Sequence, residues 1–185
     1  PNTVLTELQV STDRDGDGLS GGDLIFDTAP GFRGAGDAHP FRIVTLNSAD
    51  PRATVTGIVE DGGQLLTLQF THFRAGDTVE FTLDVDEAQR WFEGIDLDFF
   101  NSRIDVIASG AEFQDSILTA KLDAPHYETV VGQDIFIDWY ENPQIYGLNL
   151  PPDISDDPNS LPNRSAAAFA HAQQIPKPIS IAGSV

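Results

Sequence analysis

The sequence has no cysteine, no methionine and only ten basic residues. Without cysteine the chain forms no disulfides, thiolate metal sites or cysteine nucleophile. Without methionine Pro1 is not a translational start, so we interpret the sequence as a processed or excised fragment. The sequence also lacks a run of about 18 apolar residues, and no membrane span is predicted.

The shortage of basic residues gives the chain a strongly negative charge. It has 29 acidic residues against 10 basic ones, a formal net charge of -19. This charge disfavours nucleic acid and anionic membranes as partners and favours cations. Bulk acidity can serve solubility alone, but that does not explain why aspartates cluster at alternate positions.

The clearest cluster is a DxDxDG run that begins at Asp13. Its three aspartates match positions 1, 3 and 5 of an EF-hand loop, and the Leu19 carbonyl matches position 7. The match then ends, because position 12 is Leu24 and the flanks are strand-like. The run therefore predicts a Ca²⁺ loop of non-EF type. Its predicted ligands are Asp13, Asp15, Asp17, the Leu19 carbonyl and Asp23. The alternative is a solvated acidic turn, but three carboxylates so close together repel one another without an ion.

The hydrophobic pattern predicts an all-β protein. Apolar side chains alternate through 64–70 and 78–86, and the connection 74–77 is hairpin-like. Further strands are predicted at 4–10, 23–27, 41–47, 53–60, 103–108, 116–122 and 133–140, with one helical turn within 87–101. This number of short strands indicates an antiparallel β-sandwich of jelly-roll or immunoglobulin-like type, with a domain spanning 1–140.

Composition changes after Tyr140. Residues 141–162 are rich in proline and without period, which predicts an extended arm over 141–185. Within the arm, 164–174 is alanine-rich and is predicted to form a short helix, with Asn163 as its N-cap. Such an arm docks on its own domain or on a neighbouring copy, and we expect a homo-oligomer formed through it.

A second acidic group is predicted around Asp84 and Asp86, which share one strand face and could chelate a metal together. Glu87, Asp96 and Asp98 are near in sequence, and Asp27 could join them from the end of its own strand. The alternative is the ordinary solvent face of an acidic strand.

Motifs for catalysis are missing. The four histidines have no spacing suited to zinc, and there is no GxSxG elbow. A pair of carboxylates could serve a hydrolase, but no spacing singles out a pair. We therefore expect a non-enzymatic protein. Asn163 begins the one N-glycosylation sequon and is interpreted as a glycan acceptor or an N-cap, two roles that do not exclude each other.

Three stretches together resemble the core protein of sponge aggregation factors and similar domains of bacterial surface proteins. They are 15–29 (DGDGLSGGDLIFDTA), 40–44 (PFRIV) and 62–86 (GGQLLTLQFTHFRAGDTVEFTLDVD), within a likeness over about 5–125. The resemblance implies a secreted, glycan-bearing, proteoglycan-like assembly that forms a ring or a linear backbone. It also implies calcium-dependent cell adhesion, with Asp13, Asp15, Asp17 and Asp23 as calcium ligands and Asn163 as a glycan site.

The expected function is thus a structural domain of an extracellular, calcium-dependent adhesion assembly, with other adhesion subunits or glycans as partners. The alternative is a calcium-stabilised, lectin-like carbohydrate-binding module. Its aromatic platform would consist of Trp91, Trp139, Tyr140 and Tyr146, although core packing is the commoner use of such side chains.

Overall fold

The computed structural model describes residues 3–19, 23–30, 38–87, 113–138 and 166–178. In these residues the chain forms β-strands and no α-helix, as the alternating sequence predicts. The strands are β1 (Val4–Ser11), β2 (Leu24–Phe26), β3 (Arg42–Asn47), β4 (Thr54–Val59), β5 (Leu65–Arg74), β6 (Thr78–Thr82), β7 (Val85–Glu87), β8 (Ile117–Asp123), β9 (Val130–Ile135), β10 (Ile137–Asp138) and β11 (Ala166–Ala167).

A five-stranded antiparallel sheet in the order β4-β5-β1-β8-β9 is the framework of the fold. β4 and β5 form one hairpin, and β8 and β9 form another. β1 lies between the two hairpins and pairs with β5 on one side and β8 on the other. Val10, for example, is opposite both Leu66 and Leu118.

The core lies on one face of this sheet. Leu66, Leu68 and Phe70 alternate along β5 and are buried, whereas Leu65 before them and Gln69 between Leu68 and Phe70 are exposed. The second layer consists of the pairs β2–β7 and β3–β6. β2 is fully buried, and half-buried side chains of the other three strands pack on the core. The Phe41 and Phe81 rings, for instance, lie 5.2 Å apart in that layer. The predicted antiparallel β-sandwich is therefore confirmed.

The predicted hairpin between 64–70 and 78–86 is wrong. β5 pairs on its two edges with β1 and β4, so β6 has no free edge of β5 to pair with. The turn at Arg74–Asp77 instead carries the chain into the other layer, where β6 pairs with β3. The Asp77 carboxylate closes this turn by accepting the Arg74 N–H at 2.7 Å.

The predicted strand 78–86 is divided at Leu83 and Asp84 into β6 and β7. The two parts pair with different strands, because β6 continues along β3 and β7 pairs with β2. This change of partner buries Asp86, which the alternating pattern had assigned to the same solvent face as Glu80 and Thr82.

The predicted helix at 164–174 is wrong where the structure describes it. Ala166 and Ala167 form β11 against β10, and His171 makes a β-bridge to Gln133 of β9. The partly buried Ala168 and Ala170 pack against the core. Helix propensity is a weak preference, and tertiary pairing with a free strand edge outweighs it here.

The segment 166–178, which we call the C-terminal segment, lies along its own domain. Its backbone bonds continue past His171: the Glu128 N–H donates to the Ile175 carbonyl at 2.8 Å, and the Lys177 N–H donates to the His126 carbonyl at 2.9 Å. Gly132 permits this approach, because a Cβ built there would lie 2.5 Å from the His171 carbonyl oxygen.

Within the described ranges no helix is long and apolar enough to cross a membrane. Several predictions lie outside the described residues: the strand at 103–108, the helical turn within 87–101 apart from Glu87 at the end of β7, the arm at 141–162 and the glycan site at Asn163.

Candidate metal centre

The DxDxDG loop leaves β1 through a fixed anchor at Thr12. The Thr12 hydroxyl is buried and donates to the Leu24 carbonyl at 2.7 Å, and the Thr12 N–H donates to the Gln64 carbonyl at 2.9 Å. The two contacts hold Thr12, the residue just before the run, against β2 and against Gln64, which immediately precedes β5. The loop therefore begins at a fixed point of the sandwich.

The loop turns so that its carboxylates converge. Gly16 and Gly18 have φ of 76° and 86°, the left-handed region that glycine adopts without steric cost. The Gly16 N–H donates to Asp13 Oδ1 at 2.8 Å, and the Asp17 N–H donates to Asp15 Oδ1 at 3.3 Å. One carboxylate oxygen from each of Asp13, Asp15 and Asp17 lies within 4.8 Å of the other two.

The loop carboxylates lie close enough to repel one another, and this repulsion shows in the pKa of Asp17. The pKa of Asp17 is raised, first by a hydrogen bond with Asp15 and by repulsion from the Asp15 carboxylate. Asp23 and Asp13 add further repulsion, so Asp23 lies close enough for Asp17 to sense its charge. Asp15 and Asp17 are exposed and Asp13 is half-buried, which leaves the cluster accessible to an ion from solvent.

Of the predicted ligands, the structure thus brings Asp13, Asp15 and Asp17 together, with Asp23 near them. Leu19 is described and half-buried at the end of the loop. Alternate aspartates at a glycine turn are the arrangement that hard cations with oxygen ligands such as Ca²⁺ prefer. The group can bind a divalent cation at the surface.

The second acidic group has a different composition from the predicted one. Asp84 and Asp86 do not form a pair on the surface: Asp86 is 2% exposed, whereas the Asp84 carboxylate is partly exposed and lies 3.5 Å from Nδ1 of His39. Asp86 instead forms a hydrogen-bonded carboxyl pair with Asp27, which is 1% exposed. The Glu87 side chain, Asp96 and Asp98 lie outside the described residues.

The environment of Asp27 opposes its charged form. Burial, the hydrogen bond with Asp86 and the charges of Asp86, Asp61 and Asp84 together raise the pKa of Asp27 to about 7. Its Oδ1 is buried and has no hydrogen-bond partner. Asp27 was predicted as a possible member of the group, but its burial was not predicted.

Asp61 is a member of this group that the sequence analysis missed. Its Oδ1 accepts the N–H groups of Thr28 and Ala29 at 2.9 and 2.8 Å. These bonds fasten the chain just after Asp27 to the β4–β5 loop. The signal in the sequence was an aspartate that opens a Gly-Gly turn, but its partners, 32 and 33 residues away, could not be predicted from it.

A third charged cluster is fully compensated. Arg52 donates to both oxygens of Asp50, at 2.9 Å through Nε and 2.8 Å through Nη2, and the Arg74 guanidinium lies 3.3 Å from Asp50 Oδ2. The hydrogen bonds from Arg52 hold the pKa of Asp50 well below its usual range. This cluster braces the β3–β4 loop against the end of β5 and has no need of an ion.

The aromatic residues of the predicted lectin platform, Trp91, Trp139, Tyr140 and Tyr146, lie outside the described residues. Comparison of the chain with protein-family models, with curated proteins and with solved structures found no match.

Proposed function

We propose that this chain is a non-enzymatic structural domain of an extracellular, calcium-dependent adhesion assembly, of the kind that the likeness to sponge aggregation factors suggests. The observation that carries the proposal is the convergence of the Asp13, Asp15 and Asp17 carboxylates within 4.8 Å at the surface. Its partners are further copies of the chain, other adhesion subunits or glycans. The net charge of -19 argues against nucleic acid.

The role of Ca²⁺ is to stabilise the fold by linking the DxDxDG loop to the sandwich. The loop is continuous with the central strand β1, and Thr12 ties its start to β2 and β5. An ion shared by Asp13, Asp15, Asp17 and Asp23 neutralises their repulsion and holds the beginning of β2 to the end of β1. Ligand that binds only the folded form stabilises it by mass action.

The proposed assembly is a homo-oligomer formed through the arm. The C-terminal segment occupies the edge of β9 through backbone bonds that any copy of the chain could make equally well. Exchange of this segment between copies would give a closed dimer or a continuing ring or fibre, depending on symmetry. A glycan at Asn163 is part of the proposal.

The experiment is the native mass of the purified protein by light scattering, with Ca²⁺ and after its removal with chelator. We expect a multiple of the monomer mass in Ca²⁺, and a smaller particle with a lower melting temperature in chelator. The variant Asp15→Asn/Asp17→Asn should have in Ca²⁺ the smaller native mass that the wild type has in chelator.

The matched control is Glu80→Gln/Glu128→Gln, which removes two exposed carboxylates away from the loop. It should keep the response to Ca²⁺, because loss of bulk charge alone does not remove a binding site. A mass and a melting temperature that are the same with and without Ca²⁺ would contradict the proposed function.

A further inference from the structure

The Asp27 carboxyl group is held in the interior by the backbone on both sides of its strand. The Phe26 N–H donates to the Gly63 carbonyl at 2.9 Å, and the Gly62 N–H donates to the Phe26 carbonyl at 2.8 Å. On the other edge, the Asp27 N–H donates to the Asp84 carbonyl at 3.1 Å. With both edges of β2 paired, Asp27 cannot turn its side chain to solvent without breaking the layer.

One oxygen of this carboxyl group has no partner. Asp27 is 1% exposed, and its Oδ1 contacts neither solvent nor a hydrogen-bond donor. A buried oxygen acceptor left in this way destabilises the fold, and more so when it is charged. The structure therefore contains a buried ligand atom with unused capacity, which is rare in native interiors.

The Asp27 carboxyl group lies in a region of negative charge. The Asp86 carboxyl group hydrogen-bonds to Asp27, and the charges of Asp61 and Asp84 act on it from nearby. Carboxylate oxygens together with backbone carbonyls are the ligands of Ca²⁺, and the chain has no cysteine to favour a softer metal. A divalent cation would be the largest charge in such a site and would reverse the cost of burying the carboxylates.

We propose that Asp27 and Asp86 form a second Ca²⁺ site, buried between β2 and β7 and separate from the DxDxDG loop. Asp61 and Asp84 add negative potential around it. The inference does not rest on the adhesion role or on any assembly.

The two sites lie at opposite ends of one short strand. Asp23 precedes β2 and Asp27 follows it, so four residues of extended chain, about 13 Å, connect them. β2 is fully buried along its length. An ion at either end fixes the same strand, and each ion should therefore strengthen the binding of the other.

The test is calorimetric titration with Ca²⁺ at about 0.15 M ionic strength, which suppresses loose binding to the net negative charge. The proteins are the wild type, the loop variant Asp13→Ala/Asp15→Ala/Asp17→Ala/Asp23→Ala, which keeps no side-chain ligand of the loop, and the interior variant Asp27→Asn/Asp86→Asn. We expect two ions per chain in the wild type and one in each variant. The loop variant should still gain melting temperature with Ca²⁺, and Mg²⁺ should not replace it.

Two results would overturn the second site. One is a loop variant that binds no Ca²⁺ and melts at the same temperature with and without it. The other is an interior variant that still binds two ions. If the interior variant does not fold, the loop variant alone decides, because any specific ion that it binds must lie elsewhere than the loop. The native mass, which tests the proposed function, is measured separately and can fail or succeed independently.

Discussion

Substitution of Asp27 by asparagine in calcium-free buffer tests the buried carboxyl pair most directly. Asparagine has nearly the same shape, carries no charge and can donate a hydrogen bond to Asp86, as a protonated Asp27 does. The substitution therefore removes one titration from the interior while keeping its packing. We expect it to change how stability depends on pH.

The magnitude follows from the pKa of Asp27, which rises from 3.8 to about 7 on folding. At 1.36 kcal/mol per pKa unit this difference corresponds to at most about 4 kcal/mol. Because the folded protein holds the proton more tightly, the wild type has this stability below about pH 4 and loses it as pH rises to about 7. The Asp27→Asn variant loses none of it.

The assay is urea denaturation in chelator at a series of pH values from about 4 to about 8, with the free energy of unfolding compared between variant and wild type. The variant should gain up to about 4 kcal/mol relative to the wild type across this range. Glu80→Gln, an exposed carboxyl, should follow the wild type within about 0.5 kcal/mol. Parallel pH curves for Asp27→Asn and wild type would refute the reasoning.

Three further predictions concern the core of the sheet, the Thr12 anchor of the loop and the C-terminal segment. Leu68→Ala, at a core position 1% exposed, should cost about 3–5 kcal/mol in urea denaturation. Leu65→Ala on the opposite face should cost less than about 1 kcal/mol, and equal costs would contradict the assignment of the two faces. Thr12→Val should cost about 1–3 kcal/mol, because the Leu24 carbonyl loses its donor, and should weaken Ca²⁺ binding measured by calorimetry; an unchanged affinity would show that the anchor does not position the loop. Gly132→Val should displace the C-terminal segment and speed its cleavage in limited proteolysis, whereas Val131→Ala, at an exposed neighbour, should not; equal cleavage of both variants and wild type would contradict the docking.

Much of the fold was predictable because alternation is a local property. Leu66, Leu68 and Phe70 are two residues apart, so they share a face whichever strands lie beside them. What alternation does not contain is the choice of partner. The turn at 74–77 was predicted as a hairpin because the flanking runs are sequential, but both edges of β5 are occupied by β1 and β4.

The candidate site was predictable to the extent that it is local. Asp13, Asp15 and Asp17 converge within one turn, and glycine at the turn signals this in the sequence. Asp86 is buried because β7 pairs with β2 and does not continue along β3 as β6 does. The burial of Asp27 depends on the bridge between its neighbour Phe26 and Gly63. Both are contacts between distant parts of the chain, which no pattern within one strand reports.

The position of β1 at the centre of the sheet has a consequence for synthesis. On the ribosome β1 emerges first, yet its partners β5 and β8 come much later in the chain. The β4–β5 and β8–β9 hairpins can form as soon as each emerges, because their strands are adjacent in sequence. β1 must remain unpaired until then, with both of its edges open to other chains. The rate at which residues up to about 123 are made thus limits how long this strand stays exposed to aggregation.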